Sequence, residues 1–142
     1  MNDLAPGVRA GKLIYFLHTV EERLEAALEP LGLSVAKFGV LAKLVAAGEP
    51  LPLGTLAERM ACVRSNMTQL IDRLEADQLV RRVADPGDRR SVRAELTKEG
   101  REHYAAALKI VEQAECELFS GLPKNQQDVL LKLLGSLKCG EH

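Results

Sequence analysis

The chain has 142 residues, 46% of them apolar but only 4% aromatic, which predicts one aliphatic, helix-rich globular domain. Three scattered cysteines exclude a disulfide framework, and no signal peptide or apolar run of about 18 residues is present, so we expect a cytoplasmic protein. The net charge of −1 gives no global argument for nucleic-acid binding, although residues 51–101 hold ten basic and eight acidic side chains.

The first 47 residues predict a lead-in followed by two helices. Proline and glycine favour an irregular start over residues 1–12. Apolar side chains then recur every three or four positions, as on one face of a helix: Leu13, Leu17, Val20, Leu24, Leu28 and Leu31. Pro30 and Gly32 end this helix. Ser34 is suited to cap a second helix that runs to about residue 47, with an inward face of Phe38, Leu41, Leu44 and Val45.

The middle and the end of the chain predict four more helices and a hairpin. A short helix over residues 53–60 is joined by "ACV" to a second one over residues 64–76, whose buried stripe is Met67, Leu70, Ile71 and Leu74. Residues 79–84 and 91–96 are predicted strands. Thr97 is suited to cap a long helix that runs to about residue 120. The last helix covers residues 126–137, with Val129, Leu130, Leu133, Leu134 and Leu137 on its apolar stripe.

The two short helices and their three-residue connection are typical of a helix-turn-helix. In such proteins the start of the second helix enters the major groove of DNA, where Arg suits guanine and Asn or Gln suits adenine. The candidate DNA-binding side chains on this helix are Arg64, Ser65, Asn66, Thr68, Gln69 and Arg73. An ordinary solvated polar helix face is the alternative that the helix pair alone leaves open.

The stretch "RRVADPGDRRSVRAEL" favours the DNA-binding interpretation. Asp85, Pro86 and Gly87 have the residue types of a tight turn between two strands. A hairpin directly after a helix-turn-helix is the wing of a winged helix. Arg89 and Arg90 then lie near its tip, within reach of the DNA backbone or a narrow minor groove. We expect some of the remaining arginines of this stretch, Arg81, Arg82 and Arg93, to pair with nearby acids instead.

The segments "LAERM" and "VRSNMTQLIDRLEADQLVRRVADPGDRRSVRAELTKEG" resemble the MarR family of bacterial transcription regulators. The family's wing pattern is an Asp-x-Arg tip, a strand and then Leu-Thr-x-x-Gly at the start of a helix. It corresponds here to Asp88, Arg90, Leu96, Thr97 and Gly100. The order of the flanking helices also fits, so the resemblance extends over nearly the whole chain.

The resemblance implies a mainly α fold with a small β-hairpin wing, in which a winged helix-turn-helix is flanked by N- and C-terminal dimerisation helices. Residues 1–32 and 98–142 would form the homodimer, and residues 33–97 would bind double-stranded DNA. It further implies that Arg90 enters the minor groove while Asp88 holds its guanidinium. Two departures from the family affect the helix ends: Val63 cannot cap the recognition helix, and Gln78 stands where glycine is common and a left-handed conformation is favoured, at a cost of roughly 1 kcal/mol.

The remaining candidates are less specific. Cys62 lies just before the recognition helix, so a thiol-based redox sensor is one alternative, and a winged helix that binds protein is another. His18, His103 and His142 have no metal-ligand spacing, and no motif indicates catalysis or a cofactor. Many members of the family bind small aromatic or lipophilic ligands. We place that candidate cleft near Tyr15, His18, Phe38 and Leu41, which are equally consistent with ordinary core.

The leading hypothesis is a dimeric, ligand-responsive repressor that binds a pseudo-palindromic operator.

Overall fold

The computed structural model describes residues 5–60 and 64–137, with Arg64 described in its backbone only. The described residues form six α-helices: α1 (Val8–Leu28), α2 (Val35–Ala47), α3 (Leu53–Arg59), α4 (Arg64–Ala76), α5 (Lys98–Leu118) and α6 (Lys124–Gly135). A short 3-10 helix, Glu29–Leu31, follows α1. Three strands complete the fold: β1 (Leu51–Pro52), β2 (Val80–Asp85) and β3 (Asp88–Leu96).

The first helix begins earlier than the sequence indicated. Gly7 takes a left-handed conformation (φ 85°) at the start of α1, so the helix begins at Val8 and contains Gly11, whereas we predicted an irregular lead-in to about residue 12. The predicted end is confirmed, because α1 gives way to the 3-10 helix and stops at Gly32, whose φ of 68° suits glycine. The N-terminal helix is therefore longer than its apolar stripe.

The second helix is capped as predicted. The Ser34 hydroxyl accepts a hydrogen bond from the backbone N–H of Lys37 at 3.1 Å, which satisfies one of the free donors of the first turn. Its buried face is Val40, Leu41 and Leu44, with Phe38 half-buried. The prediction for Val45 was wrong, since it is exposed. Val40 lies one turn before Leu44 on the same face, and the packing of neighbouring elements buries it and leaves Val45 exposed.

The sheet has one strand more than predicted. β3 lies in the centre and pairs antiparallel with β2 on one side and with the two-residue β1 on the other. Pro52 lies in β1, opposite Arg93, where an edge strand tolerates a residue that has no N–H. A two-residue strand has no detectable alternation in its sequence, which explains why β1 was not predicted.

A single apolar core lies beneath the helix-turn-helix. Met67, Ile71 and Leu74 on α4 are fully buried against side chains of α2, α3 and the sheet. Ala107 and Val111 bring α5 into the same core. Leu70, predicted to be buried, is only half-buried. The polar face of α4 therefore points away from the apolar core.

Close contacts join the long helices to the winged region. The Glu25 carboxylate of α1 accepts a hydrogen bond from the Val35 N–H at the start of α2, at 3.0 Å. On α5, the His103 Nε2 lies 2.6 Å from the Leu31 carbonyl oxygen.

No single helix within the described ranges has the length and apolar character to cross a membrane. Two segments, Val8–Leu31 and Val35–Ala47, satisfy those criteria only together, with a bend of 78° between them.

Candidate nucleic-acid interface

The recognition helix α4 exposes the side chains that the sequence predicted. Because Met67, Ile71 and Leu74 occupy its buried face, the opposite face carries Ser65, Asn66, Thr68, Gln69 and Arg73, all exposed. The side chain of Arg64 lies outside the described residues, as do Cys62 and Val63, so the predictions for these positions have no structural outcome. The described part of the helix presents hydroxyl, amide and guanidinium groups to solvent.

The end of α4 has a left-handed residue at the predicted position. Gln78 has φ 63°, and no other non-glycine residue in the described ranges has a positive φ. The Gln78 N–H bonds to the Glu75 carbonyl at 2.9 Å, and the Leu79 N–H bonds to the Leu74 carbonyl at 3.0 Å. These two bonds form the Schellman arrangement, which closes a helix and turns the chain sharply. It directs the chain from α4 into β2.

The wing is the hairpin of β2 and β3, joined by Pro86 and Gly87. Asp85 pairs with Asp88 across this two-residue turn. The Asp85 carboxylate accepts a hydrogen bond from the Gly87 N–H at 2.9 Å and lies 3.2 Å from the Arg93 Nε. The Gly87 N–H and then the Arg93 guanidinium stabilise the charged form and lower the pKa of Asp85 below its ordinary value. The turn prediction is confirmed, with β3 beginning three residues earlier than expected.

Asp88 contacts Arg90 differently from what the resemblance implied. Its carboxylate accepts a hydrogen bond from the backbone N–H of Arg90 at 2.9 Å. Neither an ion pair nor a hydrogen bond joins Asp88 to the Arg90 guanidinium in the described structure. The carboxylate therefore orders the backbone at the wing tip and leaves the Arg90 side chain exposed.

The five arginines of the wing stretch divide into two groups. Arg81 pairs with Glu95, Arg82 with Asp72 and Glu75, and Arg93 with Asp85. The expectation that some of these three pair with local acids is confirmed. Arg89 and Arg90 are both exposed and have no acidic partner in the described part of the chain. Of these five arginines, the two without an acidic partner thus both lie at the wing tip.

Arg82 was not predicted to link the wing to the recognition helix. Partial burial disfavours its charge, but hydrogen bonds and charge interactions with Asp72 and Glu75 outweigh that effect and raise the pKa of its guanidinium. The spacing of the two acids on α4, three residues apart and close to β2 in sequence, was the signal that could have identified this contact.

The four residues predicted to line a ligand cleft do not meet in the single chain. Tyr15 is 67% exposed on α1, and His18 on the same helix pairs with Glu22 at 3.1 Å. Phe38 stacks on Tyr104 with ring centroids 5.4 Å apart, and Leu41 is fully buried in the core. The geometry gives these residues two separate environments, and their role in ligand binding stays a prediction.

A cavity of about 560 Å³ lies instead where the 3-10 helix, the start of β2 and α5 meet. Its lining is Leu31, Gly32, Asp77, Leu79, Glu99, Glu102, His103 and Ala106. Three of these side chains are acidic, so the cavity does not suit an anionic ligand.

Over the ranges that the structure describes, no three His, Cys, Asp or Glu side chains are arranged to hold a metal ion. Cys116 is an exposed thiol on α5, whereas Cys139 and His142 lie outside those ranges.

Comparison with known proteins identifies this architecture. The MarR family model matches residues 33–92. The uncharacterized HTH-type transcriptional regulator YkoM of Bacillus subtilis is 34% identical over 125 residues, which cover 88% of this chain and 76% of YkoM. CouR from Rhodococcus jostii RHA1, solved with p-coumaroyl-CoA bound, is 28% identical, with a TM-score of 0.83 and 99% of both chains covered. A mutant MarR of E. coli, solved in complex with operator DNA, is 26% identical, with a TM-score of 0.84 and coverage of 94% of this chain and 97% of MarR.

The winged helix exposes the polar face of α4, and YkoM is 34% identical over 88% of the chain. The protein therefore belongs to the MarR family of DNA-binding transcription regulators, which are not enzymes.

Proposed function

We propose that the protein is a homodimeric repressor that binds a pseudo-palindromic operator and is released from it by a small ligand. The observation that carries this proposal is the pairing of an exposed polar face on α4 with two exposed arginines at the wing tip, Arg89 and Arg90. The start of a recognition helix fits the major groove, and an arginine suits phosphate or a narrow minor groove. One protomer thus offers both kinds of DNA contact.

The side chains of α4 divide by chemistry. Asn66 and Gln69 have the amide groups that bond in pairs with adenine, and Arg64 has the group that bonds with guanine. Ser65 and Thr68 carry hydroxyl groups that suit bases or phosphates. Arg73 lies about one turn beyond Gln69, where its guanidinium suits phosphate. We assign base recognition to the first two turns, backbone contact to Arg73 and Arg89, and minor-groove contact to Arg90, with Asp88 ordering the tip.

Apolar side chains on the terminal helices support the dimer. In the single chain α6 has no buried residue and α1 has only one, Leu28. The exposed apolar residues of these helices include Ile14, Tyr15, Phe16, Leu17 and Val20 on α1, and Val129, Leu130, Leu131 and Leu133 on α6. An apolar surface of this extent is typical of a protein–protein interface. We assign residues 1–32 and 98–142 to the homodimer and residues 33–97 to DNA binding.

Analytical ultracentrifugation tests the dimer. Leu131→Glu combined with Leu133→Glu is expected to convert a dimer into a monomer, because both side chains are more than half exposed in the single chain and cost little to change there. Val45→Glu, an exposed apolar position on α2, is the matched control and is expected to leave the dimer intact. A parent protein that sediments as a monomer contradicts the proposal.

A sequence-selection binding assay tests DNA recognition. The selected operator is expected to contain two related half-sites about one helical turn, ~34 Å, apart. Arg90→Ala should weaken binding to all sites, whereas Asn66→Ala or Gln69→Ala should change which sequence is preferred. Affinity should also fall steeply with salt. A protein that selects no DNA sequence and binds a protein partner in a salt-tolerant manner would instead be a protein-interaction module.

The ligand and the redox alternative require separate measurements. CouR, which was solved with p-coumaroyl-CoA, supports a small aromatic or lipophilic ligand for this chain as well. Addition of such a compound to the operator complex is expected to release DNA. If peroxide releases DNA instead, and Cys62→Ser abolishes that response while DNA binding is retained, the chain is a thiol-based sensor. We place this activity in the bacterial cytoplasm, where the chromosome is.

A further inference from the structure

Arg82 on β2 makes more polar contacts with the recognition helix than any other wing residue in the described part of the chain. Its Nη1 donates to Glu75 Oε1 at 2.9 Å, and its Nη2 donates to the Asp72 carboxylate and to the Thr68 carbonyl oxygen, the latter at 3.3 Å. The Arg82 backbone N–H also donates to Glu75 Oε2, at 2.9 Å. One residue thus bonds to three positions of α4.

The three acceptors lie along one side of α4. Thr68, Asp72 and Glu75 are spaced by four and three residues, so they follow one face of the helix over two turns. The Arg82 side chain lies along this face and is 27% exposed, less than its acidic partners. Charge-assisted bonds from a planar guanidinium are both strong and directional. They restrict rotation of the wing about its connection to α4.

We propose that Arg82 is a positioning residue that sets the wing against the recognition helix, so that Arg90 reaches DNA only when α4 lies in its groove. This inference rests on the proposed function. Arg82 itself would make no direct contact with DNA. It would fix the distance between the exposed polar face of α4 and the wing tip. Base recognition by α4 would therefore be coupled to the contact of Arg90 with DNA.

The neighbouring residue Arg81 provides a matched control. It lies on the same strand and has the same charge, but it pairs with Glu95 on β3, within the hairpin. Loss of Arg81 removes a positive charge and an ion pair without loosening the wing from α4. A difference between the Arg81 and Arg82 variants therefore reports on position rather than on charge.

A double-mutant cycle on the full chain with its selected operator tests the coupling. Arg90→Ala alone is expected to weaken binding roughly tenfold. In the Arg82→Gln background, which should already be weakened to a similar extent, the same change is expected to cost less than about threefold, because the wing no longer holds its tip at DNA. In the Arg81→Gln background Arg90→Ala should still cost roughly tenfold. Full additivity with Arg82→Gln would overturn the proposal.

The acidic partners give a second, independent test in case Arg82→Gln does not fold. Glu75→Gln removes one negative charge from the DNA-binding region, so simple electrostatics predicts equal or tighter binding. The positioning role predicts the opposite, a roughly tenfold loss of operator affinity. Glu95→Gln likewise removes one negative charge, within the hairpin, and should cause no loss of operator affinity. Tighter operator binding by Glu75→Gln would refute the positioning role.

Two further readouts separate the alternatives. If Arg82 contacts phosphate directly, Arg82→Lys should restore binding, and Arg82→Gln should lower the slope of log affinity against log salt by about one. The positioning role predicts neither, because an ammonium cannot make the planar, forked contacts. If the parent chain selects no operator, the proposed function itself is wrong. If the parent binds an operator but the effects of Arg82→Gln and Arg90→Ala are additive, only this inference is wrong.

Discussion

Replacement of Gly100 by alanine tests the junction between the wing and α5. Gly100 is buried in the first turn of α5, and a Cβ atom built there would lie 2.1 Å from the Leu79 carbonyl oxygen and 2.8 Å from Leu96 Cδ1. Cβ atoms essentially never approach a non-bonded heavy atom more closely than 3.0 Å. The backbone at the start of the wing must therefore move by about 1 Å, since a carbonyl group cannot rotate away as a side chain does.

The size of the effect follows from the contacts at this carbonyl. Leu79 O accepts a hydrogen bond from the Thr97 N–H at 3.1 Å, and at 3.0 Å it shares the single proton of the Thr97 hydroxyl with Gln78 O, which lies 2.7 Å from that hydroxyl. Weakening both costs about 2 kcal/mol, and overpacking adds about 1–3 kcal/mol. Alanine returns about 1 kcal/mol through its higher helix propensity. We expect a net loss of about 2–4 kcal/mol, which corresponds to a fall of roughly 6–16 °C in Tm.

Thermal and urea unfolding at one fixed protein concentration measure this loss, because the proposed dimerisation would make the Tm depend on concentration. Gly39→Ala on α2 is the control. Its new Cβ would lie 3.0 Å from the end of the flexible Met60 side chain, which can move. We expect that variant to stay within about 1 kcal/mol of the parent. Equal stability of Gly100→Ala and the parent would show that the wing and α5 do not approach each other this closely.

Three further variants test local features. Gln78→Gly should stabilise the protein by about 0.5–1 kcal/mol in urea unfolding, because glycine adopts φ 63° without strain; a loss of stability would contradict the left-handed helix end. Ser34→Ala should cost about 1 kcal/mol in the same assay through the lost cap of α2, and no change would argue against the cap. Asp85 has a lowered pKa in the folded state, so its charge contributes stability that is complete above its ordinary pKa of 3.8 and is lost as pH falls through the lower folded value. The difference in urea midpoint between Asp85→Asn and the parent should therefore be largest near pH 7 and shrink well below pH 3.8, and a constant difference would exclude the charged contact.

Local signals in the sequence predicted most of the helices accurately. The bounds of α4 and the caps at Ser34 and Thr97 are confirmed, because a cap and an amphipathic period depend on residues close together in the chain. The start of α1 was wrong because glycine and proline only disfavour a helix, and Gly7 serves as its first boundary. Side-chain burial was predicted less accurately. Val45 was expected to be buried, but Val40 is buried and Val45 is exposed.

The sequence by itself determined the winged helix, the polar face of α4 and the turn at Asp85, Pro86 and Gly87, since each depends on spacing or on local hydrogen bonds. Only the tertiary structure decided which arginines have an acidic partner and which do not. Arg82 is bonded to α4 and Arg81 to β3, although both lie on one strand next to each other. The sequence shows where the charged residues occur but not which side chain each of them contacts. An ion pair forms only where folding brings two side chains from different elements together.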